Sequence, residues 1–81
     1  MELIDKIGNE GMVERNVVWK FVVKVRDIKV GVVVEEDLYD EEFKYYKFID
    51  DKFSFEELED GVLSEDEKYE IFDMWRFEIN V

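Results

Sequence analysis

The side chains in this sequence that could do chemistry are almost all carboxylates, and most of them follow residue 34. Residues 1–34 contain six Lys/Arg and five Asp/Glu, whereas residues 35–81 contain five Lys/Arg and eighteen Asp/Glu. The two parts carry formal charges of +1 and −13, so the net charge of −12 resides in the second part. Such an uneven distribution creates a field that attracts a cationic partner and repels nucleic acid and anionic lipid.

Catalytic groups other than carboxylates are scarce. The chain has no histidine or cysteine, so the usual general base, thiolate nucleophile and strong zinc ligands are absent. Ser54 and Ser64 each precede a glutamate by three residues, which is the spacing of a helix-capping box. A carboxylate pair could hydrolyse a glycosidic bond, but 81 residues can hardly enclose the substrate cleft. We therefore predict that the protein is not an enzyme.

The acidic stretches could also attract Ca²⁺ or Mg²⁺, which bind oxygen ligands. An EF-hand loop needs acidic residues at its first, third and fifth positions and glycine at its sixth. Gly61 as the sixth residue would place Leu58 third, and the run Asp37–Asp40 contains no glycine. The four glycines of the chain are scattered, so no glycine-rich phosphate-binding loop is present either. We predict no metal site and no cofactor.

The spacing of the acids favours a different role. Acids two apart on a strand lie about 6.6 Å apart on one face, and acids four apart on a helix lie about 6 Å apart. Four pairs have such spacings in the predicted elements: Glu35/Asp37, Asp40/Glu42, Glu56/Asp60 and Asp66/Glu70. Rows of carboxylates at these intervals resemble the phosphates of a nucleic acid, and Tyr39, Tyr45 and Tyr46 could anchor a protein interface among them.

The predicted partner is therefore a basic protein, either a nucleic-acid-binding protein or a nuclease. Direct nucleic-acid binding is not predicted, because a net charge of −12 opposes contact with phosphates. Lys20, Lys24, Arg26 and Lys29 are interpreted as the solvated side and tip of a hairpin. The predicted partner-binding residues are Glu35, Glu36, Asp37, Tyr39, Asp40, Glu41, Glu42, Asp50, Asp51, Glu56, Glu57, Glu59, Asp60, Glu65, Asp66 and Glu67.

In general build the chain resembles viral proteins directed against restriction or CRISPR systems, which are short, acidic, cysteine-free and without catalytic groups. The resemblance is one of class, and no motif assigns the chain to a family. It implies an inhibitor of the anti-CRISPR or anti-restriction type that mimics nucleic-acid phosphates. Two alternatives are an immunity protein or antitoxin for a basic nuclease toxin, and a structural homodimer that pairs sheet edges or exposed valines such as Val18, Val22 and Val33.

Composition also predicts a soluble protein of the cytoplasm, or of the host cytoplasm if the source is viral. The absence of cysteine fits a reducing compartment. The first residues carry acid where a signal peptide needs base, and apolar runs such as Val32–Val34 are far too short to span a bilayer. No membrane partner is predicted.

The elements that must position these carboxylates begin with a hairpin over residues 13–34. Apart from Arg15, the odd positions from Val13 to Val25 are apolar, as are the even positions from Ile28 to Val34. A two-residue turn at Arg26-Asp27 brings the apolar residues of the two strands together on one face. The pairs are Val25 with Ile28, Val23 with Val30, Phe21 with Val32, and Trp19 with Val34.

The remaining elements are predicted from shorter patterns. Strands are expected over 43–49 and 74–81, and a turn at Asp50-Asp51. Leu3, Ile4 and Ile7 indicate a helix over 2–7 that ends at Gly8. Ser54 and Glu57 as a capping box indicate a helix over 55–60, although a hairpin that pairs Phe48 with Phe53 is an alternative.

Ser64 and Glu67 repeat the capping-box spacing, so a helix over 65–72 is an option, and residues 69–74 fit either helix or strand. The prediction is one α+β domain over residues 1–81. It has a small antiparallel sheet of about four strands, with short helices on one face.

Overall fold

The backbone forms one antiparallel sheet whose five strands follow the order of the chain. The computed structural model describes residues 1–13 and 16–80, and side chains at 1–7 and 17–80. The strands are β1 (Glu2–Val13), β2 (Asn16–Val25), β3 (Ile28–Glu36), β4 (Glu41–Ile49) and β5 (Lys52–Glu57). Helix α1 (Glu65–Met74) follows, and a π-helical segment (Trp75–Ile79) continues it. The prediction of about four strands with several short helices is therefore wrong. The sheet has five strands, and one short α-helix lies near the C-terminus.

The pairing of β2 with β3 is confirmed in every predicted register. Val25 lies opposite Ile28, and Trp19 lies opposite Val34, with Val23/Val30 and Phe21/Val32 between them. The turn at Arg26-Asp27 is also confirmed, with Arg26 at φ 56°. Val13 belongs to β1 rather than to this hairpin, and Glu14 and Arg15 lie outside the described residues.

The helix predicted over 55–60 is wrong, and the alternative hairpin is confirmed. Phe48 lies opposite Phe53 across β4 and β5. Asp50 and Asp51 both have positive φ, 50° and 59°, as a two-residue type I′ turn requires. The Ser54 hydroxyl donates to the Lys47 carbonyl at 2.6 Å, so it holds β5 against β4 instead of capping a helix.

The helix predicted over 2–7 is also wrong, because these residues form the start of β1. Its pairing with β2 is interrupted by register shifts between Leu3 and Asp5, between Lys6 and Gly8, and between Asn9 and Met12. Each bulge adds a residue to the strand, so the period of two is lost. The apolar spacing of Leu3, Ile4 and Ile7 then imitates a helix.

The C-terminal strand predicted over 74–81 is wrong, since helix α1 continues through this region as the π-helical segment. Ile71, Trp75 and Ile79 recur every four residues, and the first two are buried in the core. The amide of Asn80 donates to the Trp75 carbonyl at 2.7 Å, which is an i to i+5 bond. Residues 69–74 are therefore helical, and Val81 lies outside the described residues.

The capping box at the start of α1 is confirmed. The Ser64 hydroxyl accepts from the Glu67 amide, and the Glu67 carboxylate accepts from the Ser64 amide. This box starts α1 where the chain can turn back across the sheet. None of the described helices has the length and apolar composition needed to cross a membrane.

The core lies between one face of the sheet and α1. Its buried residues are Phe21, Val23, Val25, Val30, Val32, Val34, Leu63, Ile71 and Trp75. Each buried residue of β2 and β3 in this core comes from the alternating set that the sequence pattern identifies. The opposite face of the sheet, called the open face below, is not covered by α1.

Candidate protein-interaction surface

Six acidic residues converge where β3 turns into β4. This segment, residues 35–42, is called the acidic hairpin. The register places Glu35 directly opposite Glu42, and Glu36 directly opposite Glu41. Cross-strand neighbours have Cβ atoms about 4.5–5.5 Å apart, and like charges in such pairs destabilise a sheet. Two consecutive pairs of this kind concentrate negative charge at one end of the molecule.

The tip of the acidic hairpin is ordered by Asp37. One carboxylate oxygen of Asp37 accepts hydrogen bonds from the backbone amides of Tyr39 and Asp40, each at 2.8 Å. The Asp37 amide donates to the Asp40 carbonyl at 2.9 Å. Leu38 and Tyr39 at this tip are 74% and 94% exposed. The tip therefore presents two apolar side chains on a backbone that is fixed before any partner binds, which lowers the entropy cost of binding.

Several carboxylates of the acidic hairpin have no cationic partner within the described part of the chain. Asp37, Asp40, Glu41 and Glu42 make no ion pair with any lysine or arginine that the structure describes. Glu36 accepts a hydrogen bond from the Asn80 side chain at 3.2 Å. The charge of this hairpin is therefore largely available to an external cationic group.

A second concentration of acid adjoins the hairpin. A groove of about 320 Å³ runs beside β4 and is called the acidic groove; it is lined by Glu42, Phe43, Lys44, Tyr45, Glu57, Leu58, Glu59, Asp60, Gly61, Leu63 and Lys68. A smaller hollow of about 110 Å³ is lined by Glu35, Asp37, Asp40, Glu41 and Glu42. Glu42 lines both, so the hairpin and the groove form one continuous acidic surface.

Two ionisable groups of the groove are perturbed by specific neighbours. The hydrogen bond from Lys47, at 2.8 Å, lowers the pKa of Glu59, and the same contact raises the pKa of Lys47. Burial raises the pKa of the Tyr45 hydroxyl, with a smaller contribution from the charge of Glu65. Glu59 is thus neutralised by an ion pair, while Glu42, Glu57 and Asp60 have no ion pair among the described residues.

Not all of the predicted partner-binding residues share this surface. Asp50 and Asp51 form the β4–β5 turn, and Asp50 lies eight positions after Glu42, about 27 Å along the strand. Asp51 is also paired with Lys29 at 2.6 Å. Glu56 lies in a strand, so Glu56 and Asp60 do not lie one turn apart on a helix, as the predicted spacing required. The two aspartates of the turn are therefore remote from the acidic surface.

The predicted acids of α1 cluster at its N-terminus. The first turn of the helix contains Glu65, Asp66 and Glu67. Negative charge there interacts favourably with the positive end of the helix dipole. Glu67 completes the capping box and pairs with Arg26 at 3.1 Å, and Glu65 lies 3.8 Å from Lys68. Asp66 and Glu70 are four apart on this helix, as predicted. Helix stability accounts for these acids without a partner.

The predicted aromatic anchors are separated. Tyr39 lies at the tip, whereas Tyr45 faces α1 beneath the ammonium of Lys68, 5.8 Å from its ring centroid. Tyr46 lies on the open face against Phe53, with ring centroids 5.8 Å apart. Only Tyr39 therefore belongs to the acidic hairpin. Leu38 also lies at the tip. Its position within an acidic stretch of the sequence is the signal that would have identified Leu38 as an exposed apolar contact.

The open face combines lysines with aromatic rings. Lys20 lies over Phe55 and Lys29 over Phe48, at 5.8 and 5.6 Å from the ring centroids. The interpretation of these lysines as the solvated side of the hairpin agrees with this placement. Phe55 is 78% exposed, whereas Val22 on the same face is buried at 2%. Val22 is thus unable to form the dimer contact suggested by the sequence.

Comparison of the chain with family models, curated proteins and solved structures finds no significant match. Among the residues that the structure describes, no three acidic side chains are grouped so that they could hold a metal ion. The candidate site is therefore defined by geometry and charge alone: an ordered acidic hairpin with an exposed apolar tip, continuous with an acidic groove.

Proposed function

We propose that this protein is a small acidic inhibitor that occupies the nucleic-acid-binding surface of a basic protein, as anti-CRISPR and anti-restriction proteins do. The observation that carries the proposal is the presence of two pairs of opposed glutamates, Glu35/Glu42 and Glu36/Glu41, beside an ordered tip. Such pairs lower stability, so their clustering favours a role in binding rather than in folding. An immunity protein for a basic nuclease would use the same surface against one cognate enzyme.

The apolar and the acidic residues of this surface have different roles in the proposed interaction. Leu38 and Tyr39 supply the apolar anchors that concentrate binding energy at an interface, and the surrounding carboxylates steer association and select a cationic target. Binding is stoichiometric, fast at low salt and weakened by salt. A cytoplasmic site of action fits a nucleic-acid-binding target.

The test is capture of a partner at low and at high salt, followed by its identification and a competition assay. The expected partner is a basic nucleic-acid-binding protein or nuclease that is released by salt and that loses its nucleic acid when the inhibitor is added. Capture of an uncharged partner, or of a basic one that keeps its nucleic acid, would refute the proposal.

A matched pair of charge variants locates the interaction. Glu41→Lys with Glu42→Lys moves the net charge from −12 to −8 within the acidic hairpin. Glu70→Lys with Asp73→Lys makes the same change beside Met1, away from the hairpin. Loss of capture in the first variant and retention in the second is expected, and equal loss in both would show that only net charge matters.

A structural homodimer is the second candidate, and the open face favours it. Phe55 is 78% exposed there and packs against the rings of Tyr46 and Phe53. Sedimentation separates the two functions, because a stable dimer that forms without a basic ligand would favour the structural role. Phe55→Ser should cause such a dimer to dissociate into monomers.

A further inference from the structure

The outer edge of β4 is covered along only half of its length. β5 pairs with β4 at Tyr46, Phe48 and Ile49. The Leu58 amide then donates to the Tyr45 carbonyl at 3.0 Å, after which the chain leaves the sheet and crosses toward α1. Residues 41–44 are therefore paired with β3 on one side and, among the described residues, with no strand on the other.

The register identifies which backbone groups of this edge are available. The bond from Leu58 shows that the Tyr45 backbone faces away from β3, and backbone direction alternates along an antiparallel strand. The amide and carbonyl of Phe43 therefore also face outward, whereas those of Glu42 and Lys44 face β3. In the part of the chain that the structure describes, no group bonds to the Phe43 amide or carbonyl. An unpaired edge of this kind is a template for another strand.

The acidic groove lies alongside this edge and determines which strand would fit. Phe43, Tyr45, Leu58 and Leu63 supply its apolar lining, and Glu42, Glu57, Glu59 and Asp60 outnumber Lys44 and Lys68. Glu59 is already paired with Lys47, which leaves three carboxylates for an occupant. An extended segment rich in lysine or arginine would satisfy both the backbone groups and these charges.

We infer that the free half of β4, Glu41–Lys44, receives an extended basic segment of the partner as an added strand. This inference rests on the proposed function and names the part of the partner that is bound. Backbone hydrogen bonds to Phe43 supply affinity, and the alternating basic side chains select among segments. The acidic hairpin, which begins at the same edge, contacts the rest of the partner surface.

The probe is an end-capped seven-residue peptide of alternating lysine and valine, and the first measurement is amide hydrogen exchange by NMR. At a peptide concentration ten times Kd, exchange at the Phe43 amide should slow about tenfold, because only the free protein exchanges. Exchange at Glu42 and Lys44 should change little, since their amides are already bonded to β3. Peptide binding without protection at Phe43 would overturn the inference.

Backbone methylation of the peptide provides a second measurement that electrostatic attraction alone cannot reproduce. Methylation of one alternating set of amides should abolish binding, because those amides face β4, while methylation of the other set should preserve it. Equal affinities for the two methylated peptides would contradict strand addition. Asp60→Lys should weaken peptide binding about tenfold, whereas Asp73→Lys should leave it unchanged.

The outcomes separate this inference from the proposed function. A partner that is captured through the acidic hairpin, with no protection at Phe43 in the complex, overturns strand addition and leaves the inhibitor intact. A peptide that adds to β4, together with a captured protein that keeps its nucleic acid, supports the edge as a binding site and refutes inhibition.

Discussion

Replacing Glu41 and Glu42 with lysine tests whether the acidic hairpin is built for binding at the expense of stability. In the native register these residues oppose Glu36 and Glu35. The double variant converts two like-charge pairs into two opposite-charge pairs without altering the Asp37 hydrogen bonds that order the tip. The variant should therefore fold more stably than the native protein and bind its partner less well.

The expected gain in stability follows from the cross-strand geometry. Charged cross-strand pairs contribute about 0.2–1 kcal/mol each, with the sign set by the charges. Two reversed pairs should raise the free energy of unfolding by about 1 kcal/mol in total. For a domain of this size, that change raises Tm by about 4–8 °C.

The assay is thermal unfolding of both proteins in low salt and in 1 M NaCl. At about 1 M salt the Debye length is about 3 Å, shorter than the cross-strand separation, so the difference in Tm should nearly disappear. Affinity for a captured basic partner should fall at least about tenfold at low salt. A variant that is less stable at low salt would refute the repulsion argument, and unchanged affinity would exclude the hairpin from the interface.

Three further predictions concern the fold. Gly31→Ala should destabilise the protein by about 1–3 kcal/mol, because a Cβ there would lie 2.4 Å from the Phe53 ring; chemical denaturation should show a smaller loss in a Phe53→Ala background. Ser64→Ala removes the capping box and should cost about 0.5–2 kcal/mol in the same measurement. The hydrogen bond from the Ser64 backbone, aided by Arg26, lowers the pKa of Glu67. The ionised Glu67 carboxylate therefore stabilises the folded protein above its unfolded-state pKa, and this stabilisation is lost as pH falls through the lower folded-state pKa. Glu67→Gln should therefore be destabilising near neutral pH and not in strong acid, and a pH-independent difference would contradict this.

Local patterns in the chain were sufficient to predict the β2–β3 hairpin, and they offered the start of α1 as one option. Alternating valines leave only one register that buries Phe21 with Val32, and the Ser64–Glu67 box satisfies backbone groups within four residues. Both features are stabilised by interactions between near neighbours in sequence.

The candidate site was predictable in its residue types and in one of its locations. The density of acid around residues 35–42 indicated a partner-binding segment, but the cross-strand pairing of its glutamates was not predicted. Its continuity with Glu57 and Asp60 depends on the chain leaving β5 beside β4, which no local pattern encodes. The remoteness of Asp50 likewise follows from the length of β4.

The sequence by itself determined the hairpin register and the concentration of carboxylates after residue 34. Tertiary structure decided between identical local signals at Ser54 and Ser64: the first hydroxyl bonds to β4, and the second caps α1. It also made residues 75–79 helical: Ile71 and Trp75 are buried, while Phe77, which a strand would place on the same face, is 65% exposed. Where two local conformations are nearly equal in free energy, burial against distant residues selects one.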